Sequence, residues 1–188
     1  MARKTENCLN SKCNNAEKIP ISEFFVAPFD IEHEELKKLF SYFLYRAPNI
    51  SSAHSPEIDS SIHQDLFAHM MEGRHFKYQE FCSANIPIEN ELAKSFLLGT
   101  DICFKCKRFL CKYKKYTNEG TKETELECFL RHIRNSIAHG RVFYRNNKNR
   151  IQIMFEDENT TGKLSARIVC IKADLEHWKK ILSRKIDF

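Results

Sequence analysis

Glycine and proline are scarce in this chain, five of each among 188 residues. So low a count argues against a loop-rich β-sandwich and favours long regular elements. Long apolar runs are missing too: no stretch approaches the ~18 residues that a membrane-spanning helix needs, so no membrane association is expected. The opening MARKTENCLNSKCNNAEK is polar, which predicts no secretory signal and a cytoplasmic protein. A second Cys-x-x-Cys that would complete a tetrahedral zinc set is also lacking. Cys8 and Cys13 stand at the wrong spacing, and Cys128 with His132 would supply only half a site. The eight cysteines are therefore read as thiols, with Cys103 and Cys106 in a core stripe. Neither a metal nor a cofactor is expected.

What is present points to one globular domain with a substantial core. Apolar residues make up 42% of the chain, and 15 of them are phenylalanine. The net charge of +5 is compatible with an anionic partner without requiring one. Residues 1–29 read as an N-terminal arm, polar and then apolar (ISEFFVAPF), ahead of a domain over 30–188.

Hydrophobic spacing predicts a largely helical domain. Asp30 can cap a helix to about Arg46, with Leu36, Leu39, Phe40, Phe43 and Leu44 on one side. A second helix carries Ile62, Leu66, Phe67, Met70 and Met71. IENELAKSFLLGTDICFKCKRFLCKYKKY, residues 88–116, reads as one long central helix, apolar on more than one side. Thr121 or Thr124 can start the next helix, with Glu127 completing a capping box after Thr124 and Gly140 closing it. The period then changes to two: VFYR, IQIMFED (Ile151, Ile153 and Phe155 on one side) and LSARIVCIK are strand candidates. A final helix follows from Asp174 with Leu175, Trp178, Ile181 and Leu182 inward. The expected fold is thus mainly α, a helical bundle with a small antiparallel β insertion at about 142–172, before the C-terminal helix.

The stretch RNSIAHG, residues 134–140, carries the chemistry. On the helix that ends there, Leu126, Phe129, Leu130, Ile133 and Ile137 form the core stripe. Arg131, His132, Arg134, Asn135 and His139 lie around the remaining circumference. Arg134 and His139 are about 140° apart at 100° per residue, so they can flank a ligand without touching each other. Asn135 precedes His139 by one turn, within reach to orient it.

LRHIRNSIAHGR resembles the R-N-x-x-x-H signature of the HEPN superfamily, in which the motif lies near the end of a helix in a small helical bundle. The resemblance implies a metal-independent endoribonuclease, a homodimer whose two motifs share one cleft. It carries Arg134, Asn135 and His139 over as catalytic residues. The chemistry suits them: RNA supplies its own 2′-hydroxyl nucleophile, a histidine can move the protons, and a guanidinium can hold the phosphate. Arg131, His132 and Arg141 flank the motif as candidate phosphate contacts. The resemblance also implies restraint, as in a toxin held by an antitoxin or a phage-defence effector under a regulatory protein. Two other readings stay open: a silent HEPN-like dimer that binds a nucleotide or a protein, and a helical interaction module in which RNSIAHG is only a helix ending.

Overall fold

The computed structural model describes residues 18–27, 31–48, 55–83, 88–99, 101–103, 106–114, 123–147 and 150–184. Its elements run β1 (Lys18–Pro20), β2 (Phe25–Ala27), α1 (Glu34–Tyr45), α2 (His63–Met71), β3 (Tyr78–Cys82), α3 (Glu91–Leu98), β4 (Asp101–Cys103) and β5 (Arg108–Lys112). The motif helix α4 (Glu125–Ala138) follows, then β6 (Val142–Asn147), β7 (Arg150–Glu158), β8 (Leu164–Ile171) and α5 (Lys172–Arg184). The expected caps at Asp30 and Thr121, and Cys8 with Cys13, lie outside the described residues.

These elements correct the expected fold class. The chain is an α/β fold built on a six-stranded sheet in the order β2-β6-β7-β8-β5-β3, with β1 and β4 pairing separately. The expected insertion is the antiparallel centre β6-β7-β8 of that sheet. Three strands from earlier in the chain extend it. β2 adds antiparallel to β6, β5 adds antiparallel to β8, and β3 adds parallel to β5.

The expected long helix over 88–116 is the largest correction. It divides into α3, β4 and β5, with α3 stopping at Leu98 and Gly99 donating its N–H to the Ser95 carbonyl at 2.8 Å. Beyond it, Phe109 and Cys111 turn to one side of the sheet and Leu110 to the other, all three fully buried. A short apolar run covered on both faces lacks the alternation of a half-exposed strand, and so imitates a buried helix. The parallel pairing of β3 with β5 then needs a crossover, which α3 provides.

The sheet carries helices on both faces. α1, α2, α4 and α5 cover one face and build the larger core, where Phe129 of α4 lies edge-on to Phe109 and to Trp178, each with ring centroids 5.1 Å away. α3 covers the other face with Ala93, Phe96 and Leu97 packed against Leu110, Met154 and Val169. Strand alternation sorts the residues: Ile153, Phe155, Ile168 and Cys170 serve the first core, Met154 and Val169 the second. Tryptophan also ties helix to helix, Trp178 Nε1 donating to the Met70 carbonyl at 3.0 Å.

The thiol reading is corrected at Cys106, which is disulfide-bonded, whereas among the described residues Cys82, Cys111, Cys128 and Cys170 are free. No helix among the described residues is long and apolar enough to cross a membrane.

Candidate active site at the end of α4

The start of α4 is set locally. Thr124 accepts from the Glu127 N–H at 3.3 Å, and Glu127 Oε2 accepts from the Thr124 N–H at 2.9 Å, a reciprocal capping box. Its end is equally determined. Gly140 has φ +67°, its N–H donates to the Ile137 carbonyl, and the Arg141 N–H donates back to Ser136 at 2.8 Å. That pair of bonds is the Schellman closure, which needs a left-handed residue and so favours glycine. Between these two signals α4 presents its motif at a fixed height above β7.

Arg134 and Asn135 are half-buried, and Ala138 and His139 are exposed. His139 is the residue that ends the helix, its N–H donating to the Asn135 carbonyl at 2.9 Å. The Asn135 side chain, expected to orient His139, has other partners. Its Nδ2 donates to Asp157 Oδ2 at 3.2 Å, and its Oδ1 accepts from Arg134 Nη1 at 3.4 Å. The tie between Asn135 and His139 is therefore through the backbone.

The three flanking residues expected at phosphates are engaged with groups of the chain itself. His132 is wholly buried; Nδ1 lies 2.7 Å from Asp157 Oδ2 and Nε2 lies 2.7 Å from the Lys112 carbonyl. Burial pushes its imidazole below the usual value, against the opposing pull of Asp157. Arg131 donates through Nε and Nη2 to Glu123 at 2.5 and 2.9 Å, and through Nη2 to the Lys112 carbonyl at 3.0 Å. Burial opposes ionisation of Glu123, yet Arg131 and the Lys114 N–H hold its carboxyl below the ordinary carboxylate value. Arg141 reaches Glu156 at 3.0 Å and Glu158 at 2.9 Å. Sequence periodicity places such residues on a helix circumference but says nothing of the carboxylates that β7 and the segment before α4 bring to them.

Arg134 differs from both neighbouring arginines. Among the described residues it pairs with no carboxylate, and its buried Nε has no hydrogen-bond partner. A guanidinium without a carboxylate partner among the described residues and an exposed imidazole thus belong to the last turns of one helix. That arrangement suits a ligand carrying an anion and a transferable proton.

Asp157 was not singled out by sequence. The signal was present, because Ile151, Ile153 and Phe155 alternate onto the α4 face of the sheet and Asp157 is the next position in that alternation. A carboxylate at a buried register position has to be met by donors from the covering helix.

No curated protein and no solved structure matches the chain. A family model described as HEPN pEK499 p136 matches residues 67–185, which takes in α4, its motif and the whole meander beneath it. With more than half of its length matched, and the R-N-x-x-x-H residues standing together at the end of α4, the chain belongs to the HEPN superfamily through this family.

Proposed function

We propose that the protein is a metal-independent endoribonuclease that cuts RNA by internal attack of a 2′-hydroxyl on the adjacent phosphorus. The new 2′-oxygen–phosphorus bond expels the 5′-oxygen, leaving 2′,3′-cyclic phosphate and 5′-hydroxyl ends. Membership in a HEPN family supports a nuclease or RNA-related function in general. The observation that carries the finer reading is the contrast between arginines. Arg131 and Arg141 are paired with carboxylates of the chain itself, while Arg134, on the same helix end as the exposed His139, has no carboxylate partner among the described residues.

In this mechanism Arg134 holds the scissile phosphate and meets the charge that grows on its equatorial oxygens. His139 transfers a proton, either from the attacking hydroxyl or to the leaving oxygen. One chain offers one such histidine, so acid and base together call for a second copy, a two-fold homodimer with both α4 ends in one cleft. A cytoplasmic toxin or phage-defence effector, restrained by an antitoxin or another regulatory protein, is the setting that such an RNA-cutting activity would need.

The test is incubation of purified protein with a labelled structured RNA in EDTA, wild type beside His139→Ala and Arg134→Ala, with the product ends identified. Cyclic-phosphate ends from the wild type alone support the proposal. Equal cleavage by all three proteins would reduce RNSIAHG to a helix ending, and no cleavage by a folded dimer would favour a silent binding module.

A further inference from the structure

We infer that Asp157 is a positioning residue for the ribonuclease site, acting on Arg134 through the side-chain amide of Asn135. The inference rests on the functional reading above for its catalytic consequence, but the positioning itself is a matter of geometry.

An asparagine amide can face either way, and only its partners decide which end points where. Here Asp157 Oδ2 can only accept from the amide, so the Nδ2 end of Asn135 is drawn inward at 3.2 Å. Oδ1 must then point outward, where it accepts from Arg134 Nη1 at 3.4 Å. The carboxylate is in this way converted into a directed acceptor one step further out. The Arg134 guanidinium, whose Nε is already buried, is given one preferred direction at Nη1 without a carboxylate neutralising it.

Asp157 is itself held hard. It is 2% exposed, and Oδ2 lies 2.7 Å from His132 Nδ1 and 3.9 Å from Arg131 Nη1. His132 is locked at its far nitrogen by the Lys112 carbonyl, and Arg131 by Glu123. Of the side chains gathered on Oδ2, only that of Asn135 reaches toward the half-exposed end of the helix. The strand beneath is also irregular there: the β7–β8 register shifts between Asp157 and Glu158, and Ser165 Oγ donates to the Asp157 carbonyl at 3.1 Å. Bulges of this kind re-aim the side chain beside them. Asp157 Oδ1, meanwhile, is buried and receives no hydrogen bond from the described residues.

The experiment combines side-chain NMR on the wild type with kinetics on Asp157→Asn. The wild-type spectrum needs no variant to fold. The two Asn135 Nδ2 protons, assigned by their loss in Asn135→Ala, are expected to be slowly exchanging, and the Arg134 Nε–H resonance to be sharp. Asn135 protons that exchange as freely as those of a solvent-exposed amide overturn the inference at once. In Asp157→Asn the Arg134 resonance is expected to shift or broaden while that of Arg167 stays in place. For cleavage, kcat is expected to fall at least tenfold with KM within about twofold, and the fall to be absent when the same change is made in an Asn135→Ala background. An Asp157→Asn protein with unchanged Arg134 resonance and unchanged kcat overturns the inference and leaves the ribonuclease reading standing. Should the wild type cut no RNA, the ribonuclease reading fails while the two resonances still decide the positioning.

Discussion

Arg167 and Glu156 face each other across β8 and β7, and the arginine does more than close an ion pair. Its Nε donates to Glu156 Oε1 at 2.8 Å, while Nη1 donates to the carbonyls of Phe96 and Gly99 at 2.6 and 2.8 Å. One buried guanidinium thus satisfies the C-terminal carbonyls of α3 and fastens that helix to the sheet. Glu156 also receives Arg141, so the far face of the sheet is connected to the turn that follows the motif.

Removing Arg167 alone leaves Glu156 with half its partners and two helix-end carbonyls without a donor. Arg167→Met is expected to cost about 3–5 kcal/mol in urea unfolding, because one half of a buried pair is lost. Arg167→Met with Glu156→Gln is expected to cost less than Arg167→Met alone. A double variant weaker than the single one would show that the pair is not coupled.

Glu123 sets an acid dependence whose sign follows from its lowered pKa. It ionises more readily folded than unfolded, so its contribution is complete above the ordinary carboxylate value of 4.5 and is lost as pH falls through the lower folded value. Urea midpoints of the wild type are expected to drop as pH falls below the ordinary carboxylate value of 4.5. The drop in Glu123→Gln should be shallower, since that side chain does not titrate. Parallel curves for the two proteins would contradict the assignment of the slope to this pair.

At Gly140 an added methyl group would meet nothing within 4 Å, so the cost of Gly140→Ala lies wholly in its φ of +67°. A loss of about 1 kcal/mol is expected, and a smaller one for Gly140→Asn, which tolerates that conformation better. Equal losses for alanine and asparagine in equilibrium unfolding would mean that something other than backbone strain is at stake.

For the motif itself, conservative changes are the sharpest probe. Arg134→Lys keeps the charge and His139→Gln keeps the size, at a half-buried and an exposed position of α4's last turns. Each is expected to leave the unfolding midpoint nearly unchanged while lowering the cleavage rate, by about 10²–10⁴-fold for the histidine. Arg134→Gln should also reduce the salt dependence of RNA binding by about 0.7 in log–log slope, the share of one single-strand phosphate. Full activity in Arg134→Lys would show that a bidentate fork is not needed.

How much of this was legible in the sequence depends on how local the cause is. α4 could be read because both of its ends are written beside it, in Thr124 with Glu127 and in Gly140. The β6–β8 meander could be read because half-covered strands alternate. β5 could not, since Phe109, Leu110 and Cys111 are buried on both faces, and its parallel partner Tyr78–Cys82 lies across a helix. The candidate site divides in the same way. Arg134, Asn135 and His139 share one helix and one motif, whereas the pairing of Arg131, His132 and Arg141 depends on Glu123, Asp157, Glu156 and Glu158, which only the folded chain brings near.

The strand order also bears on how the chain is made. The centre of the sheet, β6-β7-β8, is encoded after most of what must pack around it, and β2, β3 and β5 leave the ribosome earlier with no neighbour in that centre to pair with. β3 and β5 can meet early, but β5 becomes an interior strand only when β8 arrives, and β2 waits for β6. Synthesis therefore yields first a set of strands with open edges, which close only once β6, β7 and β8 have emerged. Because the motif helix itself is seated on β7, the end of α4 gains its folded surroundings only once β7 has emerged. On the ribonuclease reading proposed above, a nascent chain would leave the RNA around it uncut until those strands have emerged.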